Sequence, residues 1–300
     1  MNVLILLEQF CEYSQFIRGY SKDTIRRYRY VVSCFCKFTD ITNIEEVSDD
    51  KIRALFYFGR TQRKWSVNTF IIYHKSLLVF FRWCVSQGVI TKNPILDIEV
   101  PKLEKKLPPK LNKQTALKLL EVVYNYPYGC TFLRCRNHAI FSMFLSTGLR
   151  KQELLNLKFT DVDIDNLTLF IRQGKGNKDR IVPITDTLGF TLKKYLDERR
   201  KLNKTNPEFF SSVRGNTGFT VSGLKKLVEQ LRASSGISFT IHKLRHTFAT
   251  LMLEGGCDIY SLSKMMGHSD IKTTTIYLAA SAEHLRSQMT KHPLNNAVLN

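Results

Sequence analysis

The 300-residue chain carries 43% hydrophobic and 24% charged residues, a globular composition, and its length suits two domains of ordinary size. Forty-five Lys and Arg against 26 Asp and Glu leave a formal net charge of +19, so a polyanion is the natural partner and nucleic acid the leading one. No apolar run approaches the ~18 residues that a membrane helix needs, and the opening "MNVLILLEQF" is interrupted by Glu8 and lacks a basic flank, which argues against a span and against a secretory signal.

The expected location is therefore the cytoplasm, where the seven cysteines, with no CxxC pair among them, are expected as reduced and mostly buried thiols. In chain order, the first hundred residues read as helices with one apolar face each. "SKDTIRRYRYVVSCFCKF" spaces Ile25, Tyr28, Val32, Phe35 and Phe38 for a helix capped by Ser21, with Lys22, Arg26, Arg27 and Arg29 on its other faces. "SDDKIRALFYF" starts at Ser48 with acids in the first turn, which suits the helix dipole. "SVNTFIIYHKSLLVFFRWCVSQG" starts at Ser66 and stops at Gly88, and its aromatic stripe is expected in a core or a subunit contact.

The proline-punctuated "NPILDIEVPKLEKKLPPKLN" has no apolar period and reads as an extended linker, placing a helical first domain at residues 1–106 and a second at 107–300. In the second, "NKQTALKLLEVVYN" and "RNHAIFSMFLSTG" are helical, the latter ending at Gly148. "NLTLFIRQ", the turn "GKGNK" and "DRIVPI" form a β-hairpin, and helices resume after it. The expected class is mainly α with a small antiparallel β-sheet.

Six polar side chains stand out in this second domain: Arg150 after "STG", Lys175 in "QGKGNKDR", His242 and Arg245 in "HKLRH", His268, and Tyr277 nine residues later. Each alone is weak evidence. Together, "STGLRKQELLNLKFTDVD", "GKGNKDRIVPI", "IHKLRHTFATLMLEGG" and "MGHSDIKTTTIY" resemble the tyrosine recombinases, also called λ-integrase-type or Xer-type site-specific recombinases. Weaker similarity in "WSVNTFIIYHKSLLVFFRWC" extends the likeness over nearly the whole chain, and HxxR followed by GHxxxxTTxxY is its most specific part.

The resemblance implies a chemistry that these residue types suit. Transfer of a DNA phosphodiester to a hydroxyl builds negative charge on non-bridging oxygens, so forked, permanently charged guanidiniums are needed, a role that falls to Arg150 and Arg245. Tyr277 is the implied nucleophile, and His242, on the helix face of Arg245, the implied base or hydrogen-bond partner. Lys175 on the hairpin is the implied acid for the departing 5′ oxygen, with Lys178 as substitute; His268 would bond the phosphate, and Glu153 would orient Arg150. The basic residues Lys22, Arg26, Arg27, Arg29, Arg63 and Lys64 would supply salt-sensitive phosphate affinity.

No cofactor is expected, because a 3′-phosphotyrosyl link conserves the bond energy and the chain has no GxxxxGK[ST]. Nor is a metal: His242 and His246 have zinc-helix spacing, but the Glu of HExxH is missing and Arg245 would repel a cation. The resemblance further implies a two-domain clamp on duplex DNA with inverted-repeat core sites. It also implies a homotetramer, or a hetero-tetramer with a second recombinase, working through a Holliday junction, and a tail "SAEHLRSQMTKHPLNNAVLN" that packs on a neighbouring subunit. Lys151 and Gln152 depart from the usual pattern after the arginine and tilt the expectation from chromosome-dimer resolution toward a mobile element. The competing readings are an inactive DNA-binding protein of the same fold, which has no reason to retain all six side chains, and a type IB topoisomerase.

Overall fold

Short polar side chains start the helices of the first unit. Asn2 Oδ1 accepts from the amides of Leu4 and Ile5 at 2.9 and 3.2 Å, and opens α1 (Val3–Glu12). The hydroxyls of Ser21, Ser48 and Ser66 do the same for α2 (Lys22–Thr39), α3 (Asp49–Thr61) and α4 (Val67–Ser86). The computed structural model describes residues 1–103, 108–172, 179–268 and 270–278, and the chain divides into two compact units, Met1–Lys105 and Lys106–Asn300.

In the first unit the aromatic stripe of α4 is core. Phe70, Leu77, Phe80 and Phe81 are buried, and Phe10 of α1 meets Tyr28, Phe80 and Trp83 at ring-centroid distances of 5.2, 5.5 and 5.7 Å. Burying one such side chain stabilises the fold by roughly 1.5–3 kcal/mol. Phe38, expected on the apolar face of α2, is instead 38% exposed and rests on Phe58. The opening apolar run, which sequence reasoning weighs only as a signal segment, is α1 in the structure; its residues Val3, Leu6, Leu7, Phe10 and Cys11 recur at helical spacing and are buried while Leu4 and Ile5 stay exposed.

The second unit is built round α6 (Thr131–Thr147), whose Ala139 to Leu145 stretch is buried on every face. Against it pack α5 (Lys113–Asn125), α8 (Asp186–Lys201) and α10 (Ile241–Glu254). α6 ends at Gly148, which has a φ of 61°, and the short α7 (Lys151–Asn156) follows at once. The sheet is three-stranded and antiparallel, β1 (Val162–Asp163), β2 (Thr168–Ile171) and β3 (Arg180–Pro183), with Leu169 opposite Val182 and Ile171 opposite Arg180. The hairpin strands are as expected, and the two-residue β1 adds an edge too short to carry an alternating signal.

α9 (Val221–Ser235), α11 (Ile259–Met266) and α12 (Lys272–Leu278) complete the unit. A small second core of Phe248, Ala249, Leu253, Leu262, Met266 and Tyr277 lies where α10, α11 and α12 meet. The fold is thus mainly α with a small antiparallel sheet. No helix among the described residues is long and apolar enough to cross a membrane.

Candidate active site

Three chain turns bring the polar residues together. Gly148 ends α6 in the left-handed region, and a Cβ there would sit 2.3 Å from Phe248 Cδ1, so glycine alone lets α6 approach α10 this closely. Two residues on, Arg150 precedes α7, where the Glu153 carboxylate caps it by accepting the Arg150 amide at 2.8 Å. Thr240 caps α10 through the Lys243 amide at 3.1 Å and so sets the angular position of His242, Arg245 and His246.

Arg245 is buried, 7% exposed, and all of its described partners are acceptors of its own unit. Nη1 donates to the Gly148 carbonyl, and Nη2 to the Met266 carbonyl at 2.7 Å and to His268 Nε2 at 3.1 Å. Burial pulls its pKa down to about 10, aided by the like charge of Arg150, which still leaves it a cation at neutral pH. A guanidinium only donates, so His268 Nε2 accepts, and its ring proton on Nδ1 goes to Thr274 Oγ1 at 2.8 Å. Arg150 donates from Nη1 to Glu153 Oε1 at 2.7 Å and from Nη2 to the Gly267 carbonyl at 2.9 Å.

Arg180, the first residue of β3, forks onto the same carboxylate, Nη1 to Oε1 at 2.9 Å and Nη2 to Oε2 at 2.8 Å, and its Nε donates to the Met265 carbonyl at 2.8 Å. Burial would raise the Glu153 carboxyl, but the bonds and charges of Arg180 and Arg150 outweigh it and hold the group at about 2. The successive carbonyls 265, 266 and 267 at the end of α11 therefore accept from Arg180, Arg245 and Arg150 in turn. This places the C-terminal, partially negative end of that helix against three cations. Three guanidiniums against one carboxylate leave the cluster with two net positive charges, an anion site.

Tyr277 on α12 is 2% exposed, its ring near parallel to that of His268 with centroids 6.4 Å apart. Its hydroxyl lies 2.8 Å from His246 Nδ1. Burial raises the phenol's pKa above its ordinary value, and the charges of Arg245 and Arg150 pull it part of the way back. The six expected residues divide accordingly. Arg150, Arg245, His268 and Tyr277 come together, with Glu153 beneath Arg150 as expected.

His242 is exposed on the first turn of α10, lining a shallow pocket with Leu149, Arg150, Gln152 and Arg245, and among the described residues it bonds nothing. The bond to the Tyr277 hydroxyl belongs to His246, one helical turn further on. Lys175 and its substitute Lys178 lie outside the described residues. Sequence reasoning missed Arg180, although "KDR" closes the hairpin motif, and weighed His246 only as a metal ligand.

In the first unit, Lys22, Arg26, Arg27, Arg29, Arg63 and Lys64 are all exposed. Two are already paired: Arg29 forks onto Glu8, with Nη2 2.6 Å from Oε2, and Arg26 Nη2 lies 2.7 Å from Asp23 Oδ1. Arg27 and Arg63 rest over the rings of Tyr28 and Phe58, 5.4 and 5.8 Å from the centroids.

Comparison with known proteins adds a second line. The phage integrase family pattern matches residues 110–284, and that of the phage integrase N-terminal SAM-like domain matches residues 6–90. Tyrosine recombinase XerA of Pyrococcus horikoshii is 32% identical over 297 residues, 98% of this chain and 95% of the relative. Tyrosine recombinase XerD of Listeria monocytogenes is 35% identical over 283 residues, 91% and 93% of the two chains. Among solved structures, the XerH site-specific recombinase bound to palindromic difH substrate shares the fold, with a TM-score of 0.74 at 24% identity over 95% of this chain and 83% of that one.

Proposed function

This chain belongs to the phage integrase family of tyrosine recombinases and is an Xer-type site-specific recombinase, and from that premise we propose that Tyr277 cuts and rejoins DNA through a 3′-phosphotyrosyl intermediate. The observation that carries this reading is the shared cluster. The phenol ring stacks beside His268, whose Nε2 accepts from Arg245, and both guanidiniums are oriented by bonds to fixed acceptors.

In the proposed reaction Tyr277 Oη attacks the scissile phosphorus, the P–O5′ bond breaks and the phenolic proton is lost. Arg150 and Arg245 hold the non-bridging oxygens where charge builds up, which is the dominant catalytic term for phosphoryl transfer. The exposed His242 supplies a further contact to the phosphate or to the departing phenolic proton. His268, its Nδ1 proton on Thr274 and its Nε2 accepting from Arg245, holds that guanidinium at the phosphate. Lys175 returns a proton to the 5′ oxygen. Attack by a new 5′ hydroxyl reverses the step with no outside energy source.

Tyr277 is 2% exposed, so its ring must leave the small core of α10, α11 and α12 before in-line attack. Each protomer has one such tyrosine, and exchanging two duplexes requires four strand cuts. A tetramer working in pairs through a Holliday junction therefore fits the chemistry. We place core-site DNA recognition in the first domain, about residues 1–106, and strand cleavage in the second, 107–300.

Similarity to XerA and XerD over more than nine-tenths of each length supports an Xer-like task over the mobile-element task that Lys151 and Gln152 suggested. Mapping the DNA bound by a Y277F variant across the source genome separates a single chromosomal locus from the ends of an inserted element. A nicked suicide substrate built on the mapped site then traps the covalent adduct with the wild-type chain and none with Y277F. A wild-type chain that forms no adduct, or an adduct that persists in Y277F, sinks the reading.

A further inference from the structure

Glu153 sets a problem for the role proposed for Arg150. Its carboxylate lies 2.7 Å from Arg150 Nη1, in a place where the Glu153 side chain is only 6% exposed. A buried carboxylate that close to a single guanidinium would cancel the charge needed at a phosphate and would orient the fork toward itself. Arg180 resolves this. Its side chain is 10% exposed against 25% for Arg150, and it takes the carboxylate face-on through both terminal nitrogens, whereas the Arg150 side chain reaches it through one. Its third nitrogen, Nε, donates to the Met265 carbonyl.

We propose that Arg180 is a positioning residue for strand cleavage: by taking up the Glu153 carboxylate it leaves Arg150 with net charge and free donors for a DNA phosphate. The inference rests on the role given to Arg150 above. Two further observations support it. Gly267, whose carbonyl accepts from Arg150, has a φ of 63°, and a Cβ there would lie 2.8 Å from Arg180 Nη1, so the chain keeps a glycine where the guanidinium passes. The bond to Met265 also ties Arg180 to the same helix end that orients Arg245 and Arg150, so both phosphate-facing cations and their counter-charge share one frame.

A double-mutant cycle on adduct formation with the nicked suicide substrate, at saturating protein and with DNA affinity measured separately, tests this. R180A is expected to slow adduct formation about a hundredfold and to leave DNA affinity within about threefold of wild type. In the E153Q background the carboxylate is gone, and removing Arg180 should cost less than about fivefold. R180K keeps the charge and loses the fork, and should fall between; if R180A does not fold, R180K with and without E153Q carries the same comparison.

A substrate with a 5′-bridging sulfur, whose thiolate departs without a proton, should leave the R180A deficit unchanged. The proposal is overturned if R180A cleaves within about threefold of wild type, if losing Arg180 costs the same in both backgrounds, or if the bridging sulfur restores the rate. A wild-type chain that forms no adduct overturns the recombinase mechanism itself, and this inference with it. A wild-type adduct with an additive cycle overturns the Arg180 role alone.

Discussion

The hydroxyl of Tyr277 and Nδ1 of His246 are 2.8 Å apart, and the state of that imidazole decides what the contact is. Burial, together with the nearby His242 and Arg245, lowers the His246 pKa below its ordinary value, so at neutral pH the ring is uncharged and accepts the phenolic proton in a hydrogen bond. In the unfolded chain the same imidazole titrates near ~6.5. As pH falls through that value the unfolded state binds a proton the native state resists, so this contribution is whole above it and is lost below. H246N keeps an acceptor near Nδ1 but does not titrate. The melting-temperature advantage of wild type over H246N should shrink as pH drops from about 7.5 to about 5.5, and a gap constant across that range would show that His246 is not held neutral. Spacing showed that His242 and Arg245 share a helix face, but it could not show that the inner position, four residues along, meets the tyrosine. That depends on how deeply each turn of α10 sits.

At the scale of elements, the site is a meeting of helix ends. The Gly148 carbonyl closing α6, the capped start of α7 and the last carbonyls of α11 each present groups that their own helix cannot satisfy; arginines take the carbonyls, and the Glu153 carboxylate takes the α7 amide. The glycine at the end of α6 is therefore doubly constrained, by its φ of 61° and by the ring of Phe248. G148A should lose more than about 2 kcal/mol of stability in urea unfolding and should also slow cleavage, since its carbonyl orients Arg245. Normal stability with normal cleavage would mean that the α6–α10 contact relaxes freely. Helix starts at Ser21, Ser48 and Ser66 and the hairpin strands were legible, because caps and alternation act within a few residues. α1 and β1 were not: exposed Leu4 and Ile5 make the start of one an unbroken apolar run that hides its helical period, and the other is two residues long.

Across the whole molecule the charge of +19 makes affinity for DNA depend on salt, and pairing within the first unit determines which cations contribute most. Arg27 and Arg63 have ring neighbours, whereas Arg26 and Arg29 already hold Asp23 and Glu8. Where Arg27 or Arg63 meets a phosphate, its replacement by Ala should flatten the slope of log affinity against log salt by ~0.9. The same change at Arg26 or Arg29 should flatten it less, because the charge of those guanidiniums is already offset by Asp23 and Glu8. Equal slopes for all four variants would refute this ranking.

The sequence by itself determined the class of partner, the mainly helical architecture with a small sheet, and which side chains were candidates for the chemistry, because composition, capping and motif chemistry are written in residue types and short spacings. Only the tertiary structure decided who meets whom: that Arg180 shares Glu153, that His246 holds Tyr277, and that Arg245 and Arg150 reach carbonyls 97 and 117 residues away. Hydrogen-bond partners so distant along the chain are set by how buried faces stack, and a one-dimensional pattern carries no record of that stacking.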